Sequence, residues 1–427
     1  MRRINQAVGA SNQRQRSFIG YVILALTGTA SCLGTSCFSL PGGGSGFPKT
    51  TAWTPRTVNT GAATRPSAIG VFDFDNDSRL DVAVGYQGTA AAEAAVFIFF
   101  QDDVESFTAV RIGNGADLAV IRALAIADLD GDGRRDVVAA CNGRLVYLHS
   151  GADARSEAGW SQSVIAQSDD AAFGQWNDVA IGEIDDAAGP DIVACNETPG
   201  RVSWFRSPAA NIADGTGWTR VDIAATGRTT ATGIALDNFN NDSRLDVIST
   251  APGESAARIA WFANPTDPVA GTWTKHTVGN LPASTRVITA DLNVDGRSDV
   301  VVINPTGRIV GWYQRPTDAT TNWSGFQVTM YTSNTPTDLQ TANVDNNAQP
   351  DILVSTQIAG TLRWFVPTPG QAQSVGWVEN NLRDLTVNAI RIAVGDFDGD
   401  GRPDVVAALQ GATPAADAVI WYENPEP

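Results

Sequence analysis

Seven segments of this chain repeat one arrangement of oxygen-bearing side chains. They read DFDNDSRLD from Asp73, DLDGDGRRD from Asp128, EIDDAAGPD from Glu183, NFNNDSRLD from Asn238, DLNVDGRSD from Asp291, NVDNNAQPD from Asn343 and DFDGDGRPD from Asp396. Side-chain oxygens at positions 1, 3, 5 and 9, with a backbone carbonyl at position 7, can converge on one cation. An all-oxygen donor set with several carboxylates favours Ca2+ over zinc or copper. An EF-hand would place Glu at position 12, where the four best copies have Val84, Ala139, Val302 and Ala407. Position 9 leads directly into a β-branched run, so each loop joins two strands rather than two helices.

The copies differ in donor quality. Asp73, Asp75, Asp77 and Asp81 are four carboxylates, as are Asp128, Asp130, Asp132 and Asp136, and again Asp396, Asp398, Asp400 and Asp404. Asp291, Asn293, Asp295 and Asp299 offer three and an amide; Asn238, Asn240, Asp242 and Asp246 offer two. Two loops are expected to be weak. Glu183, Asp185 and Asp191 surround Ala187, which cannot ligate, while Asn343, Asp345, Asn347 and Asp351 carry two carboxylates and Ala348 at the turn position usually held by Gly. Four carboxylates brought together without a cation repel one another, so ion binding and folding are expected to be coupled and the ions structural. The competing reading of each loop is a solvated acidic turn that holds no ion.

The elements around these loops repeat with them. Successive motifs start 55, 55, 55, 53, 52 and 53 residues apart. Each follows an apolar stretch and precedes a β-branched one. An aromatic-rich strand comes next (AVFIFF, RLVYLH, RVSWFRSP, RIAWFANP, IVGWYQRP, TLRWFVP, AVIWYENP), then a strand opened by an aromatic at Phe107, Trp160, Trp218, Trp273, Trp323 and Trp377. The seventh copy of this last strand is missing at the C-terminus and appears at the front, at Trp53. Four short strands per unit of 50–55 residues predict an all-β, seven-bladed β-propeller with four-stranded blades. The displaced strand is expected to complete the last blade and remove both free edges. Of 12 Trp, 11 fall in the two repeating aromatic positions, where inter-blade core is expected; Trp176 lies outside them.

These motifs resemble the FG-GAP/VCBS repeats of bacterial exported proteins and of integrin α-subunit propellers. The resemblance covers residues 52–427. It implies a seven-bladed propeller with Ca2+ in the hairpin loops between the first two strands of a blade, all on one face. It also implies a ligand surface on the opposite face.

The remaining features bound the setting. Lys plus Arg number 29 against 46 Asp plus Glu, which argues against nucleic acid as a partner. Residues 1–37 read as a secretory signal: Arg2, Arg3, Arg14 and Arg16 precede the apolar run Phe18 to Leu26, which is too short to span a bilayer. Two cleavage readings remain, a lipoprotein one that leaves a lipid anchor at Cys32 or Cys37 and an ordinary one after Ala30. Residues 38–51 are a Gly-, Ser- and Pro-rich tether. The expected location is therefore secreted or cell envelope, with no membrane contact beyond that anchor, and the expected state a monomer. Cys141 and Cys195 end apolar runs and are expected to be buried free thiols, a disulfide being the alternative that export permits.

Catalytic constellations are scarce. There are two His, and both His149 and His276 replace variable strand residues, which suggests surface side chains rather than bases. No G-x-S-x-G or Walker loop occurs. The function expected is an exported calcium-binding recognition or adhesion module for a carbohydrate or protein ligand. The ligand is expected on the face opposite the metal loops, at Arg122, Trp176, Asn177, Arg286, Asp338 and Arg391, read as lying just before the first strands of five blades. The alternative is a polysaccharide-degrading enzyme, a lyase or hydrolase, on the same scaffold.

Overall fold

A computed structural model describes residues 52–425 apart from 62, 168–174, 188, 199, 225–227, 348, 359 and 369–375. The signal segment, Cys32, Cys37 and the tether at 38–51 lie outside the described residues.

The apolar stretches that flank each acidic motif pair as antiparallel neighbours. In the first blade Pro66–Phe72 pairs with Asp81–Tyr86, Phe72 opposite Asp81, so the motif is the hairpin loop between them. The second strand of every blade is an almost continuous apolar run because it is buried on both faces; Val82, Ala83 and Val84 are fully buried. Outer strands such as Ser106–Asn114 instead alternate between exposed and buried residues, as a strand with one solvated face must. Seven four-stranded sheets result, each a simple meander except the last.

The exception closes the ring. Thr54–Thr60 pairs with Ala418–Glu423, so the final sheet runs from the N-terminal strand through Ala418–Glu423 and Asp404–Gln410 to Asn388–Gly395. The inner strands are Pro66–Phe72, Ala123–Ala127, Trp176–Gly182, Gly233–Asp237, Arg286–Ala290, Thr335–Ala342 and Asn388–Gly395. Each touches the next, and the last touches the first, which makes a closed circle. The core is divided into seven apolar clusters, such as the one joining Val82 and Phe99 of the first blade to Phe397 and Trp421 of the seventh. Trp204, Trp261, Trp312 and Trp421 are buried in these seams. Cys141 and Cys195 are buried and free. Among the described residues no helix is long and apolar enough to cross a membrane.

Candidate metal centres and the face opposite them

The segment between the first and second strands is eight residues long in every blade, from the gap between Phe72 and Asp81 to that between Gly395 and Asp404. Its backbone is also shared. Position 4 is left-handed in all seven loops, with φ of 61° at Asn76, 77° at Gly131, 56° at Asp186, 60° at Asn241, 57° at Val294, 58° at Asn346 and 77° at Gly399. This turn wraps amides around position 1. In the first loop the N–H of Asp77 donates to Asp73 Oδ1 at 3.1 Å and that of Ser78 to Oδ2 at 2.8 Å. The fifth and seventh loops repeat the pattern at Asp291 and Asp396.

Position 9 is the buried anchor. Asp81 accepts the N–H of Phe74 on one oxygen and that of Gln101, at the end of the aromatic strand, on the other, both at 2.9 Å. The same staple recurs at Asp191 with Ile184 and Ser207, at Asp246 with Phe239 and Asn264, and at Asp404 with Phe397 and Asn424. Burial pushes the carboxyls of Asp81, Asp246, Asp299 and Asp404 up to about 7, against the lowering effect of these amides. Asp351 rises to about 8, where burial is followed by the neighbouring Asp345 charge.

Carboxylates converge at two of the strongest loops in the manner the motif suggests. Donor oxygens of Asp73, Asp75 and Asp81 lie within 4.8 Å of one another, as do those of Asp396, Asp398 and Asp404. This donor set is hard, oxygen-only and anionic, and so fits Ca2+. Five loops also carry an Arg at position 7 that pairs with the position 5 carboxylate: Arg79 with Asp77, Arg134 with Asp132, Arg244 with Asp242, Arg297 with Asp295 and Arg402 with Asp400. Each of these Arg donates its Nε–H to the carbonyl at the end of the aromatic strand, as Arg79 does to Gln101 at 2.8 Å. Sequence reasoning passed over these arginines, although their recurrence at position 7 was there to be read.

Neighbouring blades contribute too. Gln101, Asn264 and Asn424 each donate a side-chain amide to the position 2 carbonyl of the preceding blade's loop, at Phe397, Ile184 and Val344. Arg155, from the second blade, pairs with Asp75 and Asp77 of the first loop and with Asp102. The third loop receives its guanidinium from its own blade: Arg206 donates its Nε–H to Asp185 Oδ2, the position 3 carboxylate, at 2.5 Å, as Arg155 of the next blade does to Asp75 in the first loop.

The residues expected to present a ligand on the opposite face are placed otherwise. Trp176 does not stand at an open rim: it is 2% exposed and meets Phe205 edge-on at 5.6 Å in the seam between the second and third blades. Asn177 is buried and donates to Ala231 O of the next blade at 2.8 Å. Ser67 and Thr337 make the same kind of clasp to Ile121 and Ala389. Five residues before each motif stand Ala68, Ala123, Asp178, Gly233, Arg286, Asp338 and Arg391. Arg286 bridges Asp178 at 3.2 Å and Asp338 at 3.1 Å, passing the fourth blade across the inside of the ring at Gly233. Asp178 and Asp338 also accept the N–H groups of Ile234 and Ile392. Burial raises the Asp178 carboxyl, with Arg286 opposing it. Arg391 reaches Arg122 O at 3.1 Å, and Arg122 in turn donates to Gln175. Arg122, Arg286 and Arg391 are half-buried. His149 is not a free surface side chain: its Nε2 lies 3.0 Å from Asp130 Oδ2. His276 stacks on Trp261 at 4.4 Å.

Comparison with known proteins finds a repeat and a shape. The FG-GAP-like repeat model matches residues 73–139, 238–302 and 343–407. No curated relative matches the chain. Among solved structures, BBS1N in complex with ARL6DN is similar at TM-score 0.55 and 11% identity, over 88% of this chain and 97% of that one. A lectin of Agrocybe aegerita that recognises non-reducing terminal N-acetylglucosamine gives 0.49 and 13%, over 74% and 80%. NanB gives 0.45 and 10%, over 88% and 70%.

Proposed function

We propose that this chain, an FG-GAP repeat propeller of seven blades, is an exported calcium-binding module that recognises a carbohydrate or protein ligand. The observation that carries the calcium reading is the convergence of carboxylates at Asp73, Asp75 and Asp81 and at Asp396, Asp398 and Asp404. Asp291, Asn293, Asp295 and Asp299 supply further oxygen donors. A bound Ca2+ supplies the positive charge that offsets their mutual repulsion.

The recognition reading is supported by a contrast between the faces. The metal loops are uniformly eight residues, whereas the segments from second to third strand, on the other face, range from two (Cys141 to Arg144) to eight (Tyr86 to Ala95). A regular scaffold that carries loops of unequal length on one face is how recognition surfaces are commonly built. Of the residues expected there, Arg122 is the one we retain as a probe. Arg286 is unsuitable, because Arg286→Ala removes the ion-pair partner shared by buried Asp178 and Asp338. It should lower the unfolding free energy by about 3–5 kcal/mol, measured by urea denaturation.

Glycan and protein-ligand arrays, probed in Ca2+ and in chelator, test the whole reading. Selective retention by a glycan or protein, weakened by Arg122→Ala at unchanged melting temperature, is the expected result. Absence of retention together with new reducing or unsaturated ends in a polysaccharide panel would overturn it in favour of catalysis.

A further inference from the structure

The acidic loops are not chemically equal, and the second blade departs from the rest in a specific way. In the loops at 73 and 396 the converging donors are positions 1, 3 and 9. In the loop at 128 they are positions 3 and 5, Asp130 and Asp132, together with the imidazole of His149. Position 9 is drawn off by an extra donor: Asp136 accepts the Tyr147 hydroxyl at 2.9 Å besides the N–H groups of Leu129 and Ser150. Five other blades carry Trp where the second carries Tyr147, and Trp has no hydroxyl to give.

His149 reaches the loop because of where its strand places it. It follows Leu148, which pairs with Val137; Arg206 follows Phe205, which pairs with Ile192. The two side chains occupy the same place in their blades, and both reach the position 3 carboxylate, Asp130 in one case and Asp185 in the other. Both His149 and Asp130 have side chains less than one-fifth exposed, at 16% and 17%.

We propose that the loop of the second blade is a mixed nitrogen–oxygen centre that selects a first-row transition dication of the zinc class, unlike the all-oxygen loops at 73 and 396. Imidazole nitrogen is a favoured ligand of zinc, copper and nickel, while Ca2+ takes oxygen. Ligands held at about 2.0–2.2 Å in a tetrahedral zinc site stand roughly 3.4 Å apart. Donor atoms that already lie within 4.8 Å of one another, with His149 and Asp130 at 3.0 Å, are close to that spacing, and Asp132 meets it by exchanging its pair with Arg134 for the metal. Water completes the coordination that two carboxylates and one imidazole leave open. The centre stands whether or not the other loops hold calcium.

The test uses the full chain, stripped with chelator and dialysed, then titrated with zinc and, separately, with cobalt for its visible absorption. Metal bound per chain is measured for the parent, His149→Gln and His276→Gln. The parent and His276→Gln are expected to bind one more equivalent than His149→Gln, which also loses the corresponding cobalt absorption. Zinc held elsewhere, at Cys32 and Cys37 for example, cancels in this difference. Calcium-dependent melting of the same variants is read in parallel, so failure of the calcium reading is seen separately. With two His in the chain, imidazole NMR of the unmodified protein gives an answer that needs no variant: zinc should shift His149 and leave His276 in place. Equal zinc binding by parent and His149→Gln, or unmoved His149 resonances, would overturn the proposal.

Discussion

In the loops that begin at Asp73 and Asp396, three carboxylates converge and an Arg at position 7 ties position 5 to the aromatic strand. In the loops at Glu183 and Asn343, position 5 is Ala187 or Asn347, position 7 is Gly189 or Gln349, and no such Arg exists. Yet the weak loops keep the left-handed residue at position 4 and the buried Asp at position 9, Asp191 and Asp351. The comparison separates two tasks within one nine-residue motif. In the third blade position 9 holds the hairpin to the third strand through backbone amides and needs no ion, whereas in the sixth Asp351 accepts the N–H of Val344 within its own loop and leaves its other oxygen without a hydrogen bond. Positions 1, 3 and 5 gather charge for a cation, and a blade can lose that task and still fold. In the third blade the guanidinium of Arg206 beside Asp185 supplies positive charge from within the chain.

The sharpest way to break this separation is inside one weak loop. Asp191→Ala leaves the N–H groups of Ile184 and Ser207 buried without acceptors, so it should cost about 2–5 kcal/mol even in chelator. Asp185→Ala removes the pair with Arg206, whose side chain is 43% exposed, and the acceptor for the half-buried N–H of Ala187, and should cost about 1–2 kcal/mol. Urea denaturation of the two variants decides; equal losses would merge the two tasks again.

The next effect compares loops across the ring. In saturating Ca2+, Asp398→Ala should lower the melting temperature more than Asp345→Ala. A site filled at a hundredfold excess over its Kd contributes roughly 2.7 kcal/mol. In chelator the two variants should converge, and calorimetry with and without Ca2+ would expose any failure to do so.

The smallest effect lies at position 4. Val294 is a β-branched residue at φ 57°, where other loops place Asn76, Asp186, Asn241, Asn346 or Gly. Val294→Asn should raise stability by about 1 kcal/mol, because Asn tolerates the left-handed region that Val resists. A thermal melt of this exposed site checks it, and no gain would mean the loop backbone is relaxed.

Much of this molecule was legible in its residues, and the reasons are physical. Strand pairing is local within each blade, so motif spacing and the β-branched runs define every hairpin, and the stray Trp53 strand revealed how the ring closes. Contacts that depend on curvature were not legible. Arg286 meets Asp178 two blades away only because the inner strands close into a circle, which no local pattern encodes. Trp176 was read as a rim residue because it breaks the repeat; the ring instead buries it in an inter-blade seam. His149 was read as surface because its strand position is variable, whereas that position reaches the loop in its own blade.

The central claim, that acidic loops of one shape divide into ion-holding and merely stapled ones, meets its most direct test in diffraction. Crystals grown in Ca2+ and measured at a long wavelength give anomalous peaks wherever calcium is bound. The account predicts peaks within the loops at 73, 291 and 396 and none at 183. Peaks of equal height in all seven loops, or none at 73 and 396, would contradict it.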